Sequence, residues 1–342
     1  MSTYPLAFHR TGLVTAVGLE AASACAAMRC KLTNPSETRF IDSRGEWIMA
    51  HQVPLEQPWL GRAKLAKMAA MAIREALSDV PAVDWPNIPL LLCVAEKERP
   101  GRTDGLDDTL PRDIERELGQ CFDARSAVVP HGRVAVAVAL SQARALIYQQ
   151  RVPYVLIAAA DSLLSWPTLS HYDQRRRLLT ATNSNGFLPG EGAGALLVGQ
   201  PSGSSFELHC QGLGFAVEDA HIDSEEPLRA EGLTQAVKHA LAEAGCEMHD
   251  IDYRITDLSG EQYYFKEAAL ALARTLRRRK EEFDLWHPAE CTGEAGALAG
   301  AAVIALADAA GRKGYTRGPA ILAHMANDGG QRAALALHFR ST

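Results

Sequence analysis

Cysteines, one glycine-rich turn and one Pro-His-Gly turn are the features whose side chains or spacing suggest chemistry. The seven cysteines stand at 25, 30, 93, 121, 210, 246 and 291. An odd count, scattered and without a CxxC pair, reads as reduced thiols of a cytoplasmic protein, not a disulfide frame or zinc site. Cys291, beside Thr292 and Gly293, reads as a small buried apolar residue rather than a nucleophile. Pro189–Gly194 (PGEGAG) has the glycines of a phosphate loop but lacks the lysine and the following helix that such loops need. It reads as a close-packed strand and turn. His131, inside PHG at 130–132, reads as a turn residue. The basic run Arg277–Lys280 reads as a solvated helix end, Arg175–Arg177 as surface loop, and Tyr263–Phe265 as helix packing.

These residues must be positioned by an alternating α/β chain. Short apolar runs at Pro89–Val94, Val152–Ala159, Ala193–Val198, Ala320–Ala323 and Ala333–Phe339 predict strands buried on both faces. Ala-rich segments of helical spacing lie between them: Leu65–Leu77, Val134–Tyr148, Leu228–Ala244, Tyr264–Arg277 and Ala295–Ala309. The polar cluster Gln200–Ser205 (QPSGSS) divides the chain into residues 1–200 and 206–342, two halves expected to form one compact unit. Both run strand, helix, strand, which suggests a structural duplication, although no repeat is visible residue by residue.

The 342 residues carry 35 Lys+Arg against 41 Asp+Glu, a net charge of −6, with 47% hydrophobic residues. That composition is globular and gives no electrostatic footprint for nucleic acid or an anionic membrane. The apolar stretch from Gly293 to Ala310 is interrupted by Glu294 and Asp308 and reads as a buried helix, not a membrane span. The N-terminal segment MSTYPLAFHRTG has no basic start followed by an apolar core, so no signal peptide is expected there.

Several segments together resemble the β-ketoacyl-ACP synthase branch of the thiolase superfamily. Asn185–Val198 (NGFLPGEGAGALLV) resembles GFVxGEGAGxLVLE, and Ala158–Ser162 (AAADS) resembles AGGxDS. Thr11–Gly18 (TGLVTAVG) is similar to TGLGxVTPLG. Gly212–Ala220 with Ala240–Asp252 is similar to the run from GxGxxxDA to ALxxAGxxPxDVD. Gly293–Ala301 (GEAGALAGA) resembles GHxxGAAGA, and Ala326–Ala334 (ANDGGQRAA) resembles GFGGxNAS. In order and separation these segments cover nearly the whole chain. The resemblance implies an α/β fold of five layers, αβαβα, from two structurally similar halves each with a mixed sheet.

The resemblance also implies a cysteine at a helix N-terminus and two histidines, for acyl transfer and decarboxylative condensation. None is present. The motif ACAxGxxAIxxAxxxI, laid on Ser126–Ile147, puts Arg133 at the cysteine; a slip of one residue gives Gly132 or Val134. The ungapped match of DYINAHGT to Asp252–Ser259 puts Asp257 at the first histidine. Glu294 stands at the second, and Asp328 at the phenylalanine of GFGGxN. A guanidinium cannot form a thioester. Arg133 is therefore expected to reach Asp257 and Glu294 in the space of the former site, to within about 6 Å. His131 and Cys291 are expected as pocket neighbours. A metal held by the three carboxylates and His131 is not expected beside Arg133, and no cofactor is implied.

Three functions follow as expectations. The first is a catalytically inactive ketosynthase-like scaffold, an adaptor or chaperone that binds another protein, of the kind that accompanies secreted effectors. The second is an inactive subunit that pairs with an active ketosynthase, as chain-length factors do; it implies a surviving acyl tunnel. The third is a divergent acyl-processing enzyme using the carboxylates, which implies an open cleft with unpaired acids. A homodimer through the strand near Ser126–Pro130 is expected from the same resemblance.

Overall fold

The computed structural model describes residues 4–341, so the first three residues of the N-terminal segment read above lie outside it. The N-terminal half begins with β1 (Leu6–Val14) and α1 (Ala21–Arg29), then a hairpin of β2 (Ser36–Ile41) and β3 (Trp47–Ala50). It continues through α2 (Gly61–Ala76), β4 (Leu90–Cys93), α3 (Thr109–Leu118), β5 (Ala127–Val129), α4 (Ala135–Tyr148), β6 (Tyr154–Ser162), α5 (Trp166–Gln174) and β7 (Glu191–Gly199). The C-terminal half runs β8 (Glu207–Val217), α6 (Glu231–Ala244), β9 (Tyr253–Thr256), α7 (Gln262–Thr275), β10 (Leu285–Trp286), α8 (Ala289–Thr292), α9 (Leu298–Arg312), β11 (Ala320–Ala326) and β12 (Gln331–Arg340).

The strand order exposes the duplication. It reads β10-β9-β11-β12-β8-β1-β7-β6-β4-β5. Setting the hairpin aside and numbering strands within each half, both halves have the order third, second, fourth, fifth, first. The pairing senses also match: β4 is parallel to β5 and β6, as β9 is to β10 and β11, while β7 and β12 run antiparallel to both their neighbours. The halves join where Leu6–Phe8 of β1 pair antiparallel with Leu208–Cys210 of β8. The sequence reading gave two sheets; this seam links them into one hydrogen-bonded array.

Helices cover both faces of each half, which explains the continuous apolar runs. Leu91 and Cys93 join the central core with α4 and α9, whereas Leu90 and Leu92 face α2 on the outside. Likewise Ile321, Ala323 and Met325 point inward, and Leu322 points out to α6. Helix α4 packs on β4, β5 and β6 from one half and on β12 from the other; α9 packs on β1, β6 and β7 and on β8, β9 and β11. The layers are thus α2, sheet, α4 with α9, sheet, α6. Alternation at period two on strands buried from both sides is the physical signature read in the sequence.

Each half uses a glycine on its first strand to bring the outer helix close. A Cβ on Gly12 of β1 would overlap the Ala72 carbonyl of α2, and one on Gly214 of β8 would overlap the Ala236 carbonyl of α6. Gly214→Ala should therefore push α6 off the sheet and cost about 1–3 kcal/mol. Urea unfolding checks this: the midpoint should fall with an unchanged slope, and a wild-type midpoint would contradict the packing described.

Candidate functional site

Four chain segments deliver the charged residues to one place. After β5, Gly132 adopts φ +52° and a tight 3₁₀ turn over Gly132–Val134 sets Arg133 at the entrance to α4. A Cβ at 132 would collide with the Glu96 carboxylate, so the turn depends on glycine. Asp257 follows the end of β9. Glu294 sits in the turn before α9, where Gly293 and Gly296 both have positive φ. That turn delays the helix start to Leu298, three residues beyond the Ala295 read from the sequence. Asp328 lies in the turn between β11 and β12, tied to the Arg133 loop by Asn327 Nδ2, which donates to the His131 carbonyl at 2.8 Å.

The Arg133 side chain is buried, with 6% of its surface exposed. Its Nη1 donates to Glu294 Oε2 at 3.2 Å, and its Nη2 donates to Tyr264 Oη at 2.7 Å and Asp328 Oδ1 at 2.5 Å. Its Nε lies 4.0 Å from Asp257 Oδ2, and the guanidinium sits 4.6 Å from the Tyr264 ring centre. Both carboxylates expected near Arg133 are inside the 6 Å range. Asp328 is its shortest ionic contact.

A second guanidinium completes the cluster. Arg177 grips Glu261 with Nε and Nη2 at 2.7 and 2.8 Å, and donates from Nη1 to Asp328 Oδ2 at 2.7 Å. The hydroxyls of Tyr264 and Tyr172 also donate to Asp328, the latter at 3.3 Å. One carboxylate therefore joins two arginines and two tyrosines. Arg332 pairs with Glu267 on one flank, and Arg99 with Asp161 and Glu96 on the other.

These contacts correct three sequence readings. Arg177 is not surface loop; only Arg175 and Arg176 of that run are exposed. Tyr264 is not simply helix packing, because its hydroxyl sits among the charges. Cys291 is buried on the wall of a different cavity, one shared with Trp286 and Tyr315. His131 is exposed and lines the mouth above Asp328. The missed cation, Arg177, brings its own partner Glu261 and reaches Asp328 from a segment whose sequence looks like exposed loop.

Electrostatics follow from this crowding. Burial raises the Asp257 carboxyl to about 7; Arg133 and the Ala326 amide work against the rise, and Glu294 adds to it. Burial also tends to raise Asp328, but Arg133 and Arg177, with hydrogen bonds from Arg177 and Tyr264, outweigh it and hold that carboxyl well below the usual range. Burial raises Glu261 against its Arg177 pairing. Arg133 is held firmly protonated by Tyr264 and its carboxylates, against the effect of burial.

Little empty space remains beside Asp257 and Glu294. The cavity they line with Thr256, Thr292 and Ala289 measures about 10 Å³, room for no more than one water. A larger cavity of about 790 Å³ opens on the other side of Asp328, walled by Glu96, Arg99, His131, Tyr172 and Arg177 among others. The carboxylates of the cluster are engaged by arginines or backbone amides. Among the described residues no cluster of His, Cys, Asp or Glu has the geometry to hold a metal. PGEGAG forms the start of β7, and Cβ atoms at Gly190, Gly192 and Gly194 would meet Thr292, Val14 and Ala301, which is strand packing rather than a phosphate cradle. All seven cysteines are unpaired, and no described helix is long and apolar enough to cross a membrane.

No family model and no curated protein matches the chain. Solved structures do. The ishigamide ketosynthase/chain length factor superposes with a TM-score of 0.79 at 17% identity, covering 98% of this chain and 99% of that one. The AntDE:AntF structure, a type II polyketide synthase acyl-carrier protein in complex with its ketosynthase, gives 0.80 at 14% identity, with 98% and 99% covered. A β-ketoacyl synthase from Burkholderia phymatum STM815 gives 0.76 at 15%, covering 100% of both chains. The chain has the ketosynthase, thiolase-like fold. At these identities the likeness extends to fold.

Two outcomes test the cluster. Asp328→Ala leaves two buried arginines facing each other and should cost about 3–5 kcal/mol, read from chemical denaturation. Loss of under 1 kcal/mol would contradict its role as the junction. Asp257 should show in the pH dependence. Its folded carboxyl holds a proton up to about 7, whereas the unfolded one releases it near pH 4. Its contribution is full below the unfolded value and is lost as pH rises through the folded one. Asp328, shifted the opposite way, contributes above about pH 4 and loses its contribution as pH falls. Between pH 5 and 8 the wild type should therefore lose on the order of 3 kcal/mol relative to Asp257→Asn. Parallel stability curves would contradict the assignment.

Proposed function

We propose that this protein is a non-condensing ketosynthase-fold subunit that acts by binding another protein, as a scaffold or adaptor. The observation carrying this reading is Arg133 at the position the resemblance gives to the nucleophile, ion-paired to Glu294 and Asp328, with about 10 Å³ left beside Asp257 and Glu294. Acyl transfer needs a nucleophile and condensation needs donors free to stabilise developing charge. In this reading Asp257, Glu294 and Asp328 are degenerate active-site positions turned to structural use. The third expectation, carboxylate chemistry in an open cleft, loses support because these acids are engaged by arginines and Asp257 and Glu294 are enclosed.

A chain-length-factor-like subunit is the second reading, favoured by one feature. Strand β5 ends the sheet order and its first residues are exposed, leaving a free edge for a partner. Ketosynthase and chain-length-factor pairs, such as ApeO in complex with ApeC, share the fold at a TM-score of 0.76. The filled space at Glu294 is less favourable to the surviving acyl tunnel that this reading implies.

Malonyl- and acyl-carrier thioesters should be incubated with the protein and followed for carbon dioxide and free thiol. No release above the blank is expected; turnover that Glu294→Ala abolishes would overturn the proposal. Light scattering separates the pairings. A homodimer of the wild type that Ala127→Glu dissociates fits self-association through β5. A wild-type monomer that forms a stable pair only with a co-expressed active ketosynthase selects the second reading.

A further inference from the structure

Away from the arginine cluster, a cavity of about 330 Å³ opens between the end of α1, the β10–α8 segment and Tyr315. It shares no lining residue with the larger cavity beside Asp328, and only the Pro288 wall with the small one beside Asp257 and Glu294. Its walls are apolar and aromatic: Met28, Leu306, Cys291, Trp286 and Tyr315. Met28, Leu306 and Cys291 are buried, and the rings of Trp286 and Tyr315 stack at 6.2 Å between centres. Behind them Tyr253, fully buried, packs on Trp286 at 4.5 Å and its hydroxyl has no hydrogen-bond partner. Volume and lining match those of small-molecule sites, in which a few polar groups fix an apolar body.

The mouth supplies the polar groups. Arg29 lies 4.2 Å from the Tyr315 ring centre, held there by a cation–π contact, and among the described residues it pairs with no carboxylate. Glu290, the one acid in the lining, is already engaged by Lys31 at 3.7 Å and His287 at 3.0 Å. The rim therefore presents a guanidinium with unused donors above an apolar hollow. The carbonyls at the end of α1, which would repel an anion, are occupied: the Cys30, Leu32 and Lys31 amides donate to Ala26, Ala27 and Met28. Arginine forks match carboxylates, and a hollow of this size accepts a ring or short chain behind the charged end.

We propose that this cavity binds a small organic carboxylate with an apolar, preferably aromatic, body, its carboxylate on Arg29 and its body against Trp286 and Tyr315. The site stands independently of the function proposed above, since it uses none of the charged residues of the Arg133 cluster.

Fluorine NMR relaxation of 4-(trifluoromethyl)benzoate tests it on the full-length protein, with the neutral 4-(trifluoromethyl)benzamide as comparison. Saturable binding of the benzoate, weakened about tenfold or more by Arg29→Glu and by the amide, supports the site. Arg29 is exposed, so its substitution should leave the fold intact. Quenching of tryptophan fluorescence by the benzoate should disappear in Trp286→Phe. Absence of saturable binding to the wild type, or equal binding of benzoate to wild type and Arg29→Glu, overturns the proposal.

Discussion

Asp328 is the constraint on which the centre of this molecule depends. Its two oxygens accept from Arg133 and Arg177, two cations brought in from the turn before α4 and the segment after α5. Arg133 also pairs with Glu294 and Arg177 with Glu261, but Asp328 joins the two, and removing charge from water costs several kcal/mol per ion unless the partner geometry is good. Around that junction the four inner acids, Asp257, Glu261, Glu294 and Asp328, outnumber the two inner guanidiniums. The imbalance is relieved by protonation: the Asp257 carboxyl, the one among them whose contact with Arg133 reaches 4.0 Å, rises to about 7.

The duplicated architecture explains why such a cluster forms where it does. Helices α4 and α9 are related by the repeat and meet in the middle layer, each touching both halves of the sheet. Their N-terminal turns bring Arg133 and Glu294 face to face across that layer. The ends of β9 and β11 add Asp257 and Asp328 from the same edge. These two helix starts and two strand ends gather ions in one place, and the ion pairs hold the turns that precede α4 and α9.

Much of this was legible in the sequence. The runs PLLLCV and AALALHF alternate between two covered faces, so the strands and the α/β class followed from periodicity, whereas the five-layer arrangement followed from the resemblance. The motifs also placed Arg133, Asp257, Glu294 and Asp328 close together. What could not be read was contact between residues far apart in sequence whose local setting looks ordinary. Arg177 follows two exposed arginines, yet its neighbours Leu178 and Phe187 enter a small core that draws it inward. Tyr264 shares helix α7 with packing residues, and only the fold aims its hydroxyl at Asp328. The start of α9 was read too early because Ala295–Ala297 has helical composition, while the backbone there is held in a turn by the Gly293 and Gly296 conformations and by the Gly296 amide on Glu294.

The cluster holds together only if Arg133 and Asp328 are energetically coupled. A double-mutant cycle with Arg133→Met and Asp328→Asn, followed by equilibrium unfolding, measures that directly. The structure predicts a coupling of at least about 1.5 kcal/mol, with the double variant more stable than the sum of the two single losses allows. Additivity within about 0.5 kcal/mol would mean the two charges do not depend on each other and would contradict the role of Asp328 as the junction of the cluster.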